Sequence, residues 1–237
     1  LNTTTNKRTE FIDLGLIDYK EAWDYQTVLF EKVLATKANN RALPDDLQHL
    51  TDNYLVFCQH PHVFTLGRSG KESNLLIKPE NLSSLGATYY HINRGGDITY
   101  HGPGQLVGYP VIDLENFFTD IHKYMRTLEE AIIRTLKVFG VEAGRIPDLT
   151  GVWVDPRQSP RKICALGVKT SRWVTLHGFA LNVNTDLSYF DHIVPCGISD
   201  KAVTSLQKEV GSPVEINRVK DILKDHIANL FEMNLIR

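Results

Sequence analysis

The chain has 237 residues, 42% hydrophobic and 23% charged, an ordinary globular mix rather than a disordered one. A net charge of -2 offers no global field to nucleic acid, and no apolar run reaches the roughly 18 residues that span a bilayer. Three cysteines, Cys58, Cys164 and Cys196, are an odd number at no metal-like spacing, which points to free thiols in a reducing compartment. The polar start from Leu1 to Arg8 lacks an apolar signal core, so the expected location is cytoplasmic. One domain over 1–237 with a flexible start over 1–9 is expected.

In chain order, the pattern predicts a strand over 11–16 and a helix over 18–36 with Trp23, Phe30, Val33 and Leu34 near one face. Short apolar runs at 54–58 and 63–66 flank Gln59-His60-Pro61-His62, where the proline argues against one continuous strand. A loop with a short helix over 74–86 ends at Gly86, and strands follow at 88–93 and 106–114. Ile121, Tyr124, Met125, Leu128, Ile132, Thr135, Leu136 and Phe139 keep the helical period, with Asp120 placed to cap and Gly140 to stop. Strands are expected at 151–154, 162–169 and 175–183. Ser212-Pro213-Val214-Glu215 reads as a capping box opening the last helix, whose apolar face carries Val219, Ile222, Leu223, Ile227, Leu230 and Phe231. Strands with interspersed helices but no βαβα rhythm make the fold class α+β.

Four segments carry chemistry. Arg94-Gly95-Gly96-Asp97-Ile98-Thr99-Tyr100-His101-Gly102-Pro103-Gly104-Gln105 holds four glycines, which let backbone approach a ligand, among polar side chains. No Gly-Lys-Ser/Thr ends it, so it is not a phosphate-binding P-loop; the bland alternative is a tight glycine hairpin. In Pro195-Cys196-Gly197-Ile198 the flanking residues suggest an irregular, accessible turn, as a nucleophile requires. A thiol near pKa 8.5 needs an activating partner, for which Lys162, Lys169, His101, His177 and His192 are candidates. Strand alternation would put Lys162, Cys164 and Leu166 on one face. Cys164 is a rival nucleophile, set lower because mid-strand cysteines pack inertly. Gly178 and Ala180 share one side of a strand and would clear space for a slender ligand, or simply pack a sheet. His60-Pro61-His62 has no third ligand in local spacing, so no metal is expected.

These segments, with Lys162 and Gly167-Val168 and with His177-Gly178-Phe179-Ala180-Leu181-Asn182, resemble in order the lipoyl(octanoyl) transferases. The resemblance runs over about 54–210. It implies a mixed sheet flanked by helices, similar to the catalytic core of biotin and lipoate protein ligases. It implies Cys196 as acyl-carrying nucleophile and Lys162 as its activator. It implies substrate binding by Arg94, Gly95, Gly96, Asp97, Ile98, Thr99, Tyr100 and His101, by Ala165, Leu166 and Gly167, and by Gly178, Phe179 and Ala180. The implied reaction moves an octanoyl group from acyl carrier protein to a lysine of lipoyl domains of 2-oxoacid dehydrogenases or glycine cleavage H protein. It needs no cofactor. Rival readings are an ATP-dependent ligase on the same fold, a silent acyl-binding module and a cysteine hydrolase. Lys71, Lys169, Arg172 and Lys201 are candidate docking charges.

Overall fold

The structure, a computed structural model, describes residues 5–194 and 202–236. Cys196 and Lys201 lie outside the described residues. Strand β1 (Arg8–Leu16) leads into α1 (Tyr19–Asn40), whose first turn is capped by the Asp18 carboxylate accepting from Lys20 and Glu21 N–H. Asn6 N–H donates to Asn116 Oδ1 at 3.0 Å and Thr9 is fully buried within β1, so residues 6–9 are held in place rather than flexible as expected. The helix also runs four residues past the expected end, to Asn40.

Pro61 separates β2 (Tyr54–Gln59) from β3 (Val63–Leu66), and the two strands belong to different sheets. After two short 3₁₀ turns, Gly86 adopts φ +61° and sends the chain into β4 (Thr88–His91). Next come β5 (Ile98–His101) and β6 (Gln105–Val111). The periodic segment forms α2 (Ile121–Val138); Asp120 accepts from Lys123 N–H at 2.9 Å, and Gly140, at φ +76°, ends the helical path. Strands β7 (Ala143–Ile146), β8 (Leu149–Val154), β9 (Arg161–Ser171), β10 (Val174–Asn182) and β11 (Ala202–Val203) precede the short α3 (Leu206–Val210), α4 (Ile216–Phe231) and β12 (Asn234–Ile236).

The cap of α4 differs from the expected box. Asn184 exchanges two hydrogen bonds with the Val214 backbone, at 2.7 and 2.9 Å, which fastens Val214 outside the helix. The helix therefore starts later, and Glu215 itself caps it by accepting from Asn217 and Arg218 N–H.

The larger sheet has the order β12-β1-β2-β6-β10-β9-β8-β7, with β11 parallel to the start of β9. Pairings from β2 across to β7 are antiparallel, whereas β1 is parallel to both β2 and β12. One face packs on α2 and α4 around Leu128, Ile132, Phe179, Leu181, Leu223 and Phe231. The other packs on α1 around Phe30, Val33, Val56, Val107 and Leu176. A second sheet, β4-β3-β5, has its own core of Phe64, Leu66, Ile98 and Tyr100. The fold is thus a mixed sheet flanked by helices, α+β as the pattern indicated. Among the described residues no helix is long and apolar enough to cross a membrane.

Candidate active site

The glycine-rich stretch leaves the small sheet as β5 and enters the large one as β6. A cavity of about 430 Å³ lies along this crossing. One wall is built from Arg94, Gly95, Gly96, Asp97, Ile98, Thr99 and His101; the other from Gln105, Val107 and Tyr109 of β6 with residues of β9 and β10. Its size falls within the roughly 300–1,000 Å³ of small-molecule sites. Val107, Leu166, Phe179 and Ala180 give it apolar surface, and Lys162 stands in the same lining.

Lys162 reaches this place through a β-bulge. Trp153 pairs with Lys162 and the adjacent Val152 with Cys164, so β9 carries one residue more than β8, Ile163. The shared face expected for Lys162, Cys164 and Leu166 is broken there. Lys162 lines the cavity with Ala165 and Gly167, while Cys164 is fully buried in the core beneath α2 and α4. The Lys162 Nζ sits 4.6 Å from the Trp153 ring centroid, within the range where an aromatic face attracts a cation. Burial pushes the Cys164 and Cys58 thiols up, away from thiolate chemistry.

Arg94 is 8% exposed; its Nη2 donates to Thr65 O at 2.8 Å and Thr65 Oγ1 at 3.0 Å, and its Nη1 to Gly95 O. Gly95 N–H in turn donates to Val168 O at 3.0 Å. That donor, and Ile98 N–H on Asp97 Oδ1, are therefore taken up in holding the loop rather than aimed at a ligand. The missing side chain of Gly167 serves the same junction, since a Cβ there would come within 2.8 Å of Gly95 O. Gly178 is similar: its Cβ would meet Gly108 O at 2.1 Å, so that position is small for backbone approach.

Three imidazoles are held neutral nearby. Burial lowers His101 to about 3, helped by His60 and Arg94 and opposed by a hydrogen bond to Gln105. Burial, then the Arg94 and Lys169 charges, lowers His177 to about 3. Burial lowers His60 to about 4. His60 donates from Nδ1 to Ile17 O, so its Nε2 accepts from the Tyr109 hydroxyl at 2.8 Å. Non-glycine His177 has φ +62°, a strained backbone within β10 beside the cavity.

Of the expected site residues that are described, Tyr100 faces elsewhere. Tyr100 does not line the cavity: alternation along β5 turns its ring into the small sheet's core, where it stacks on Tyr189 and bonds His62 Nδ1 at 2.8 Å. Tyr19, Tyr109 and Phe190 line the cavity although no motif marks them. Tyr19 stacks on His101 with centroids 5.8 Å apart, a contact between segments more than eighty residues apart in sequence, which no local pattern announces. Among the described residues no group of three or more His, Cys, Asp or Glu is placed to hold a metal ion.

The lipoyl protein ligase A/B catalytic domain matches residues 18–228, and the chain belongs to that family. Its relatives within the family include the octanoyltransferase of Cytophaga hutchinsonii, 59% identical over 99% of this chain and 97% of that one. The octanoyltransferase of Bacteroides fragilis is 52% identical over 91% and 95%. The chain is accordingly an acyltransferase. A bi-partite lipoate protein ligase of Thermoplasma acidophilum shares the fold at TM-score 0.67 and 18% identity, covering 97% of this chain and 88% of that one. The biotin protein ligase of Aquifex aeolicus does so at TM-score 0.52 and 14% identity, over 94% and 70%.

Proposed function

We propose that the protein transfers an octanoyl group from acyl carrier protein to a specific lysine of lipoyl-carrier domains, through a thioester on Cys196. The observation that carries this reading is the pairing of Val203 with Lys162, both in the cavity lining. The chain thus enters the cavity wall at Lys162 only seven residues after Cys196. On the other side of Cys196, Phe190 lines the same cavity, and Val194 N–H donates to Asn74 O at 2.8 Å.

In this reaction the Cys196 thiolate attacks the donor thioester and the carrier's thiol leaves. Lys162 takes the proton from Cys196, help of a kind worth about 10²–10⁴-fold. The acceptor amine then attacks the acyl-enzyme, the C–S bond breaks, and the amide leaves with Cys196 free. Thioester to amide runs downhill, so no ATP is needed. The apolar lining takes the alkyl chain; six methylenes would contribute about 5 kcal/mol at roughly 0.8 kcal/mol each. Arg94 and the loop from Gly95 to Thr99 close the cavity's roof, and Ala165, Leu166, Gly167, Gly178, Phe179 and Ala180 shape its floor. Acceptors would be lipoyl domains of 2-oxoacid dehydrogenases and glycine cleavage H protein.

Intact-mass spectrometry with octanoyl-acyl carrier protein and no ATP tests the proposal. Wild type should gain one octanoyl group and pass it to a lipoyl domain, and Cys196→Ser should gain none. Acceptor labelling that appears only with ATP and free octanoate would replace the proposal with a ligase reaction.

A further inference from the structure

The tautomer of His101 is fixed by a chain of amides that ends on the backbone beside Lys162. Thr204 O, a group that only accepts, lies 3.0 Å from Asn182 Nδ2, which fixes the orientation of that amide. Asn182 Oδ1 then faces Gln105 Nε2 at 2.9 Å. The same Nε2 lies 3.1 Å from Tyr100 O, a second pure acceptor, so the Gln105 amide is oriented twice over. Its Oε1 is left to face His101 Nδ1 at 2.7 Å, and Nδ1 must carry the proton. His101 Nε2 is the bare nitrogen, without a hydrogen-bond partner among the described residues, on a ring that lines the cavity. Thr204 N–H closes the chain by donating to Lys162 O at 2.9 Å.

We infer that Gln105 and Asn182 are positioning residues that hold His101 as its Nδ1–H tautomer, so that Nε2 accepts a hydrogen bond from the attacking lysine amine. The inference rests on the function proposed above. An amine nucleophile must point its lone pair at the thioester carbonyl, so its N–H groups need acceptors. An imidazolium, or the Nε2–H tautomer, would instead donate to that lone pair and quench it. The groups facing the ring favour neutrality: Tyr19 stacks on it, His60 lies edge-on at 5.9 Å, and Arg94 and His177 add charge or potential charge of the same sign. His101 orients the amine and keeps no proton. As the C–N bond forms and the C–S bond breaks, the proton leaving nitrogen returns to the thiolate of Cys196, and the atoms balance.

Long-range ¹H–¹⁵N spectra of ¹⁵N-histidine-labelled protein without substrate should show His101 protonated at Nδ1, and Gln105→Met should release it toward Nε2–H. His101→Asn keeps a donor toward Gln105 and deletes only the atom facing the cavity. It should slow transfer from preformed acyl-enzyme to lysine by about tenfold, the worth of one hydrogen bond, relative to its effect on acylation. An Nε2–H ring in the wild type overturns the relay. Equal slowing of both half-reactions, or of neither, overturns the amine-acceptor role. Absence of any acyl-enzyme in wild type would instead remove the proposed function, while leaving the tautomer measurement to stand or fall by itself.

Discussion

His60, His101 and His177 are buried as neutral rings, and each carries a cost that depends on pH. Their values of about 4, 3 and 3 lie below the unfolded value near 6.5. Above pH 6.5 both states are neutral and the native state loses nothing. As pH falls below 6.5 the unfolded chain takes up protons that the native rings refuse, so stability declines until the folded values are reached. Each ring contributes about 1.4 kcal/mol of loss per pH unit in that window. Urea unfolding at pH 7.0 and 5.5 should show this, and His60→Gln should remove about one ring's share of the slope. An unchanged slope in that variant would mean that His60 titrates normally in the native protein. The strain at His177 lies on the same strand as Gly178, whose backbone crowds Gly108 O. A Cβ at Gly178 would also lie 2.7 Å from Pro110 Cδ, and Pro110 has no N–H to give to a partner strand.

Helix boundaries show what a sequence pattern can carry. Asp120 and Gly140 bracket α2 as read from the chain, because capping and the left-handed stop are local chemistry. Ser212 and Glu215 satisfy a capping-box pattern equally well, yet Asn184, nearly thirty residues earlier, removes Val214 from the helix. Only the assembled fold supplies that partner. Ser212→Ala should therefore leave stability unchanged, whereas Glu215→Ala should cost about 1 kcal/mol, read from urea midpoints. A loss at Ser212 equal to that at Glu215 would restore the earlier helix start. The bulge at Ile163 was illegible for the same reason, since it is a register between β8 and β9 and leaves no mark on β9 alone. Strand alternation read through it put Lys162 and Cys164 together; the slipped register separates a cavity lysine from a core thiol. Tyr100 shows the reverse case: its neighbours Thr99 and His101 line the cavity, and alternation along β5 sends its ring the other way, into the small sheet's core.

At the scale of the molecule, the cavity exists because two sheets with separate cores are fastened along one seam. The chain crosses that seam through Gly102, Pro103 and Gly104, and Gly104 N–H donates to Gln59 Oε1 at 2.9 Å. Arg94 is a second fastening. One guanidinium holds β3 through Thr65 and steadies Gly95, whose N–H is tied to Val168 on β9. Arg94→Met keeps much of the side chain's length but removes charge-assisted bonds, each worth roughly 1.5–3 kcal/mol. The consequence should be local, because Phe64, Leu66 and Ile98 still hold the small sheet together while β6, β9 and β10 rest on α1, α2 and α4. Hydrogen exchange followed by mass spectrometry should show amides of β3 and β5 exchanging about thirtyfold faster, near 2 kcal/mol of opening energy, with β6, β9 and β10 unchanged. Uniform loss of protection through both sheets would instead make Arg94 a support of the whole fold. If the seam alone loosens, acyl transfer should fall with the small sheet's protection although the large sheet stays intact, because the roof of the cavity and its floor belong to different sheets.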